Sequence, residues 1–172
     1  MFTFDSSKND YKAVMFMYDT YSPDRRKFVT VASLKGKKWR LHEFAYEIVS
    51  ARDGITLHER LHYRVRVKHV WDGYGGHNTV IYFDPISEKF HMLPIPEHGR
   101  EKNEIAGLGI LNECLCMARQ EHDRGFEILI MKQDGIKESW TSLFFIKNQE
   151  IPYFGFLVPF SVSENHYNAL HT

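Results

Sequence analysis

Three residues near the middle of the chain have the letters and spacing of a metal centre. His58, Glu59 and His62 stand as HExxH within DGITLHERLHYRVRV, Asp53 to Val67. On an α-helix, residues i and i+4 share a face, so two imidazoles would hold Zn2+ while the glutamate acts as general base of a hydrolase. That chemistry needs a helix and a third ligand. The residues that follow deny the helix, because Leu61, Tyr63, Val65 and Val67 alternate with His62, Arg64, Arg66 and Lys68. A period of two with β-branched and aromatic residues on one side is a strand pattern. Val65 and Lys68 also stand where the extended zinc motif needs a glycine and its third histidine. The stretch reads as a hairpin of two short strands joined at His58 to Arg60.

Other constellations carry less. The remaining histidines are scattered without ligand spacing, and no GxSxG nucleophile motif is present. GLGIL at Gly107 lacks the third glycine and the following helix of a nucleotide-binding turn. Cys114 and Cys116 are two apart in NECLCMAR, on one face of an expected strand, and two cysteines build neither a structural zinc site nor a disulfide framework. They read as small core residues. Arg64, Arg66 and Lys68 form a basic stripe that reads as a polar strand face. No catalytic, cofactor-binding or metal-binding residue is assigned, and no cofactor is expected.

The elements that position these residues are short strands bounded by Gly, Pro, Asp, Asn or Ser clusters. Phe2 to Phe4, Tyr11 to Met17, Phe28 to Ser33 and Trp39 to Phe44 form one set of four. Ile55 to Leu57, Leu61 to Trp71, Thr79 to Phe83 and Phe90 to Leu93 form a second. Ile105 to Leu111, Glu113 to Arg119, Phe126 to Met131 and Trp140 to Ile146 form a third, and Tyr153 to Ser161 opens a fourth. Only Ala45 to Arg52 has the composition of a helix, and it is too short to stand alone. The last two strands of each set repeat a pattern in VTVASLKGKKWR, TVIYFDPISEKFH and EILIMKQDGIKESWT. Trp39, Phe90 and Trp140 hold equivalent places, 51 and 50 residues apart. That matches the kelch period of about 50 residues rather than the 40 to 45 of WD repeats. The predicted fold is all-β, a partial kelch-like β-propeller of about three and a half four-stranded antiparallel blades.

The chain has 172 residues, with 22 Lys plus Arg against 22 Asp plus Glu. Zero net charge gives no overall bias toward nucleic acid. No apolar run approaches the roughly 18 residues of a membrane span, and the opening FTFDSSKND has no signal-peptide pattern. An intracellular protein of cytoplasm or nucleus is expected, with neither nucleic acid nor membrane as partner. Low-complexity linkers are absent, so residues 1 to 172 read as one domain.

FDSSKNDYKAV, VASLKGKKWR, GITLHERLHY, YFDPISEKFHMLPIPE, LGILNECLCM and ILIMKQDGIKESWTSLFFI occur in that order. Together they resemble the kelch-like F-box-associated domain of plant F-box proteins, over essentially the whole chain. The resemblance implies a non-enzymatic propeller that holds a protein target for a cullin-based ubiquitin ligase. It also implies that the F-box, which docks on the ligase adaptor, comes from a longer parent chain, since Met1 opens on the first strand. Ending at Thr172 after about three and a half blades, the chain reads as an incomplete propeller. Glu59 stands where the resemblance expects a turn glycine. A non-glycine residue at positive φ is strained, so a turn of another type is expected there.

In a four-stranded meander the second and fourth connections emerge at one end. These are the expected binding loops: Asp19 to Lys27, Asp72 to Asn78 and Gln120 to Gly125, joined by the stretches near Ser50 to Asp53 and Glu97 to Lys102. Tyr21, Arg25, Arg26, Tyr74, His77 and Arg124 are the partner-binding candidates, because Arg and Tyr are common interface anchors. Two other functions stand beside target recognition. One is a zinc hydrolase using His58, Glu59 and His62, and the other a small-ligand or glycan-binding propeller without a role in ubiquitination.

Overall fold

The computed structural model describes residues 1–18, 27–49, 54–67, 77–97, 104–121 and 124–147. Strands dominate, and no α-helix occurs among the described residues. None of the described residues forms a helix long and apolar enough to cross a membrane. The chain divides into two compact units, Met1–Asn103 and Glu104–Thr172.

The first unit contains two antiparallel sheets. Strands β1 (Phe2–Asp5), β2 (Asp10–Tyr18), β3 (Lys27–Ser33) and β4 (Lys38–Glu43) follow one another in a meander. In the second sheet β7 (Arg60–Val67), β8 (His77–Asp84) and β9 (Lys89–Met92) continue a meander whose first position is shared. Both β6 (Ile55–Leu57) and the two-residue β5 (Glu47–Ile48) pair with β7, at its start and near its end. The helical composition of Ala45 to Arg52 therefore misleads at Glu47 and Ile48. Phe44, Tyr46 and Ile48 instead follow a period of two into the core, and extended backbone is the only way to point all three inward.

Two stacked faces form that core. Val14, Val29 and Val31 from the first sheet meet Leu61, Tyr63, Val65, Ile81 and Phe83 from the second. An aromatic cluster closes one end, with Phe16 and Tyr63 edge to face at 4.8 Å and Phe44 and Phe90 at 5.1 Å. Arrangements of this kind add about 0.5–1.5 kcal/mol per pair beyond the area they bury. Gly54 lets the Tyr63 ring lie against the backbone, since a Cβ there would meet the ring at 2.4 Å. The opposite face of the first sheet leaves Tyr11, Met15, Met17, Trp39 and Leu41 exposed.

The second unit is a single meander of β10 (Glu104–Leu111), β11 (Cys114–Glu121), β12 (Gly125–Met131) and β13 (Trp140–Lys147). A 3-10 turn, Lys137–Ser139, precedes β13. Leu115, Met117, Leu129 and Met131 are buried, and Arg119 is gripped by Glu121 and Glu127. Cys116 is buried and Cys114 half-buried on the same strand, both as free thiols. Burial and the neighbouring Cys114 push the Cys116 thiol up to about 11, which makes it a poor nucleophile. Gly107 lies on β10 rather than in a phosphate-binding turn. Three antiparallel sheets in this order are consistent with the expected partial propeller. The fourth-blade strand from Tyr153 to Ser161 and the end of the expected strand at Trp71 lie outside the described residues.

Candidate functional site

Turns explain much of the local sequence. In FDSSKND the Asp5 carboxylate accepts from Ser7 Oγ at 2.5 Å and from the Lys8 amide at 3.2 Å. In FDPISEK the Asp84 carboxylate accepts from the Ile86 amide at 3.0 Å and from Ser87 Oγ at 2.7 Å. Asp10 accepts from Ser33 Oγ and from the Lys35 amide, closing the turn between β3 and β4. Burial pushes the Asp5 and Asp84 carboxyls up, but the hydroxyl and amide donors together with nearby Lys8 and Arg60 outweigh it, and both lie below the usual range. The hydrogen bonds from Ser33 and Lys35 likewise lower Asp10. Each of these turns ends in a left-handed residue, with φ of 49° at Asn9, 48° at Lys37 and 54° at Glu88.

The HExxH stretch is a hairpin, with one correction. His58 and Glu59 form its two-residue turn at φ 47° and 63°, the primed geometry that favours Asn and Gly. The expected avoidance of positive φ by non-glycine residues does not hold here. Part of the compensation is tertiary: the Thr3 hydroxyl, buried on β1, donates to the Glu59 carbonyl. His58 is exposed on the turn, whereas His62 is 1% exposed on β7 opposite Ile55. Among the described residues no three His, Cys, Asp or Glu side chains are placed to hold a metal. The basic stripe is likewise split, since Arg64 is buried and Arg66 exposed, and Lys68 lies outside the described residues.

Of the six partner-binding candidates, Tyr21, Arg25, Arg26 and Tyr74 lie outside the described residues. His77 opens β8, where it pairs with Val67. Arg124 lies in the short connection before β12; its side chain is 80% exposed and its Nη2 is 3.5 Å from Glu121 Oε2.

The described residues form a different site, at the short-turn end of the first unit. Along the face that the first sheet turns toward the second, the residues change from apolar to charged. Phe16, Val29 and Phe44 occupy one end, and Asp5, Asp10, Lys12 and Ser33 the other. β4 lines the same face with Lys38 beside Ser33, Arg40 beside Val31 and His42 beside Val29, and leaves Trp39 and Leu41 on the outer face. The turn between β8 and β9 faces them. A cavity of about 480 Å³ lies between, lined by Lys8, Lys12, Lys38, Arg40 and Lys89 among others.

Glu88 sits at the cavity's edge between two of these cations. Its carboxylate accepts from Lys12 Nζ at 2.5 Å and from Arg40 Nη1 at 2.7 Å. Lys12 also lies 3.7 Å from Asp5. Burial raises the Glu88 carboxyl, but the hydrogen bond and charge of Lys12, with Arg40 beside it, hold it below the usual range. Sequence reasoning missed this site. Its signal was the alternation of Lys38, Arg40 and His42 with Trp39 and Leu41, but nothing in the letters says that this side of β4 points inward.

The sequence matches the model of the F-box associated beta propeller domain over residues 1–169. It is 26% identical over 183 residues to F-box protein CPR1 of Arabidopsis thaliana, an alignment covering 94% of this chain and 44% of that protein. The chain thus spans less than half the length of this curated relative. No solved structure matches. The stretches that carry the resemblance have local roles in the fold: Asp5 and Asp84 cap turns, and Gly54 makes room for Tyr63. On the family match and the three antiparallel sheets, the chain belongs to the F-box associated beta propeller domain family.

Proposed function

We propose that the chain is the target-recognition module of an F-box protein, a non-catalytic domain that holds a protein for a cullin-based ubiquitin ligase. The observation that carries this reading is the family match over residues 1–169, joined by similarity to an F-box protein. Adaptor docking belongs to an F-box on the parent chain, and the module acts in the cytoplasm or nucleus. Residues 1–172 make one domain, an incomplete propeller. The outer face of the first sheet carries the apolar and aromatic Tyr11, Met15, Met17, Trp39 and Leu41, as a face that packs on a neighbouring blade would. The target meets the end of the sheets that bears the long connections, through Tyr21, Arg25, Arg26, Tyr74, His77 and Arg124.

Affinity purification from plant cells tests the proposal. The full-length parent should recover ligase adaptor and cullin with a specific protein, and this chain should recover the specific protein alone. Substituting Tyr21, Arg25 and Tyr74 together by alanine should remove the target without removing the adaptor. Recovery of neither ligase components nor any specific protein would refute the reading.

A further inference from the structure

We propose that the basic cavity between β4 and the β8–β9 turn binds a phosphoryl group carried on a peptide, and so reads a phosphorylated segment of the target. The peptide as carrier rests on the target-recognition reading, whereas the anion site rests on the cavity's own chemistry. Five cations, Lys8, Lys12, Lys38, Arg40 and Lys89, line the space against two carboxylates, Asp10 and Glu88.

These groups are not equivalent. Glu88 occupies Lys12 and shares Arg40, and Asp5 holds Lys8 at 3.4 Å. Asp10 is engaged by Ser33 and the Lys35 amide. Lys38 and Lys89 have no carboxylate partner among the described residues, and both are exposed at the rim. Two unpaired ammonium groups, with an Arg40 guanidinium whose side chain is 69% exposed, suit a dianion better than a single carboxylate.

A strand with one side toward a core ordinarily points its apolar residues inward. β4 does the reverse, with Lys38, Arg40 and His42 toward the cavity and Trp39 and Leu41 outward at 68% and 47% exposure. Glu88, at φ 54°, orders the walls by tethering the second sheet's turn to Lys12 and Arg40. It presets the guanidinium beside the open space. The cavity holds about 480 Å³, within the range of small-molecule sites and ample for a phosphorylated side chain.

The test uses the chain itself and two degenerate peptide libraries, one centred on phosphoserine and the other on serine, at low ionic strength to limit screening. The phosphorylated library should bind at least about tenfold more tightly, and Lys38→Gln with Lys89→Gln should remove that difference. Lys132→Gln, an exposed lysine of the other unit, should leave it unchanged. A measurement free of variants is titration of the unaltered protein with phenyl phosphate, which should shift the amide resonances of Gly36, Lys38 and Ser87.

Equal binding of the two libraries, or an unchanged preference in the double variant, overturns the proposal. So does binding of inositol hexakisphosphate with neither library retained, because the site would then serve a soluble anion. Capture of a target at the long-connection end with neither library retained removes this inference alone. Retention of the phosphorylated library with no target captured in cells removes the proposed function alone.

Discussion

The Lys12 ammonium lies 2.5 Å from a carboxylate oxygen of Glu88, a residue 76 positions away on another sheet. The Lys12 side chain is 3% exposed, and Glu88 and Asp5 stand where the water it has lost would be. The same carboxylate holds Arg40. One turn residue therefore joins the second sheet to two strands of the first and shapes the wall of the basic cavity.

Glu88→Gln should cost about 3 kcal/mol of stability, because it leaves a buried ammonium with a weakened partner. Arg40→Gln, at the exposed end of the same network, should cost under about 1 kcal/mol. Urea denaturation of the two variants measures the contrast. Equal, small losses would mean that the Lys12 pair contributes little.

Acid should destabilise the first unit through its turn carboxylates. Asp5, Asp10, Asp84 and Glu88 all lie below their usual values of 3.8 for Asp and 4.5 for Glu. A depressed carboxyl contributes stability that is fully present above its usual value and is lost as pH falls through the depressed one. The urea midpoint should then hold steady above about pH 5.5 and fall below about pH 4. Asp84→Asn should flatten that fall, and a midpoint that rises on acidification would contradict the assignment.

Gly125→Ala should destabilise the second unit by more than about 2 kcal/mol. Gly125 has φ of 141°, and a Cβ there would lie 2.0 Å from the Ile146 carbonyl oxygen. Gly135→Ala is the comparison, since at φ 74° it meets nothing within 4 Å and should cost about 1 kcal/mol from backbone conformation alone. Thermal melts that rank the two in the opposite order would show that β12 and β13 separate easily near Ile146.

The hairpin turn offers a gain rather than a loss. Glu59→Gly relieves a residue held at φ 63° and should stabilise the protein by about 1 kcal/mol. Elemental analysis of the purified chain should find no stoichiometric zinc, since His58 and His62 lie on a turn and a strand rather than one helical face. Stoichiometric zinc that disappears in His62→Ala would restore the hydrolase reading.

Strand existence was legible because alternation records which side of a strand meets the core. Leu61, Tyr63 and Val65 announce β7, and their burial to 1% or less bears this out. At Glu47 and Ile48 the helix-like composition obscured the alternation of Phe44, Tyr46 and Ile48. Turn geometry was less legible, since the preference of His58 and Glu59 against positive φ is weak beside the pairing of β6 and β7 and the hydrogen bond from Thr3. The cavity was not legible at all: Lys38, Arg40 and His42 alternate with Trp39 and Leu41, and period two alone does not say which set points inward.

The sequence by itself determined the meanders β1–β4, β6–β9 and β10–β13 and the family, though not the added pairing of β5 with β7, because local alternation, turn residues and repeat spacing are written along the chain. The tertiary structure alone decided which side of β4 faces the second sheet, and that Glu88 and Lys12 become partners across 76 positions. The reason is physical. Alternation tells two faces of a strand apart, but only the packing of one sheet against another makes one of them the interior. His58, Glu59 and His62, which have the letters of a zinc centre, consequently form a packed hairpin, and the charged end of the inter-sheet face forms the site.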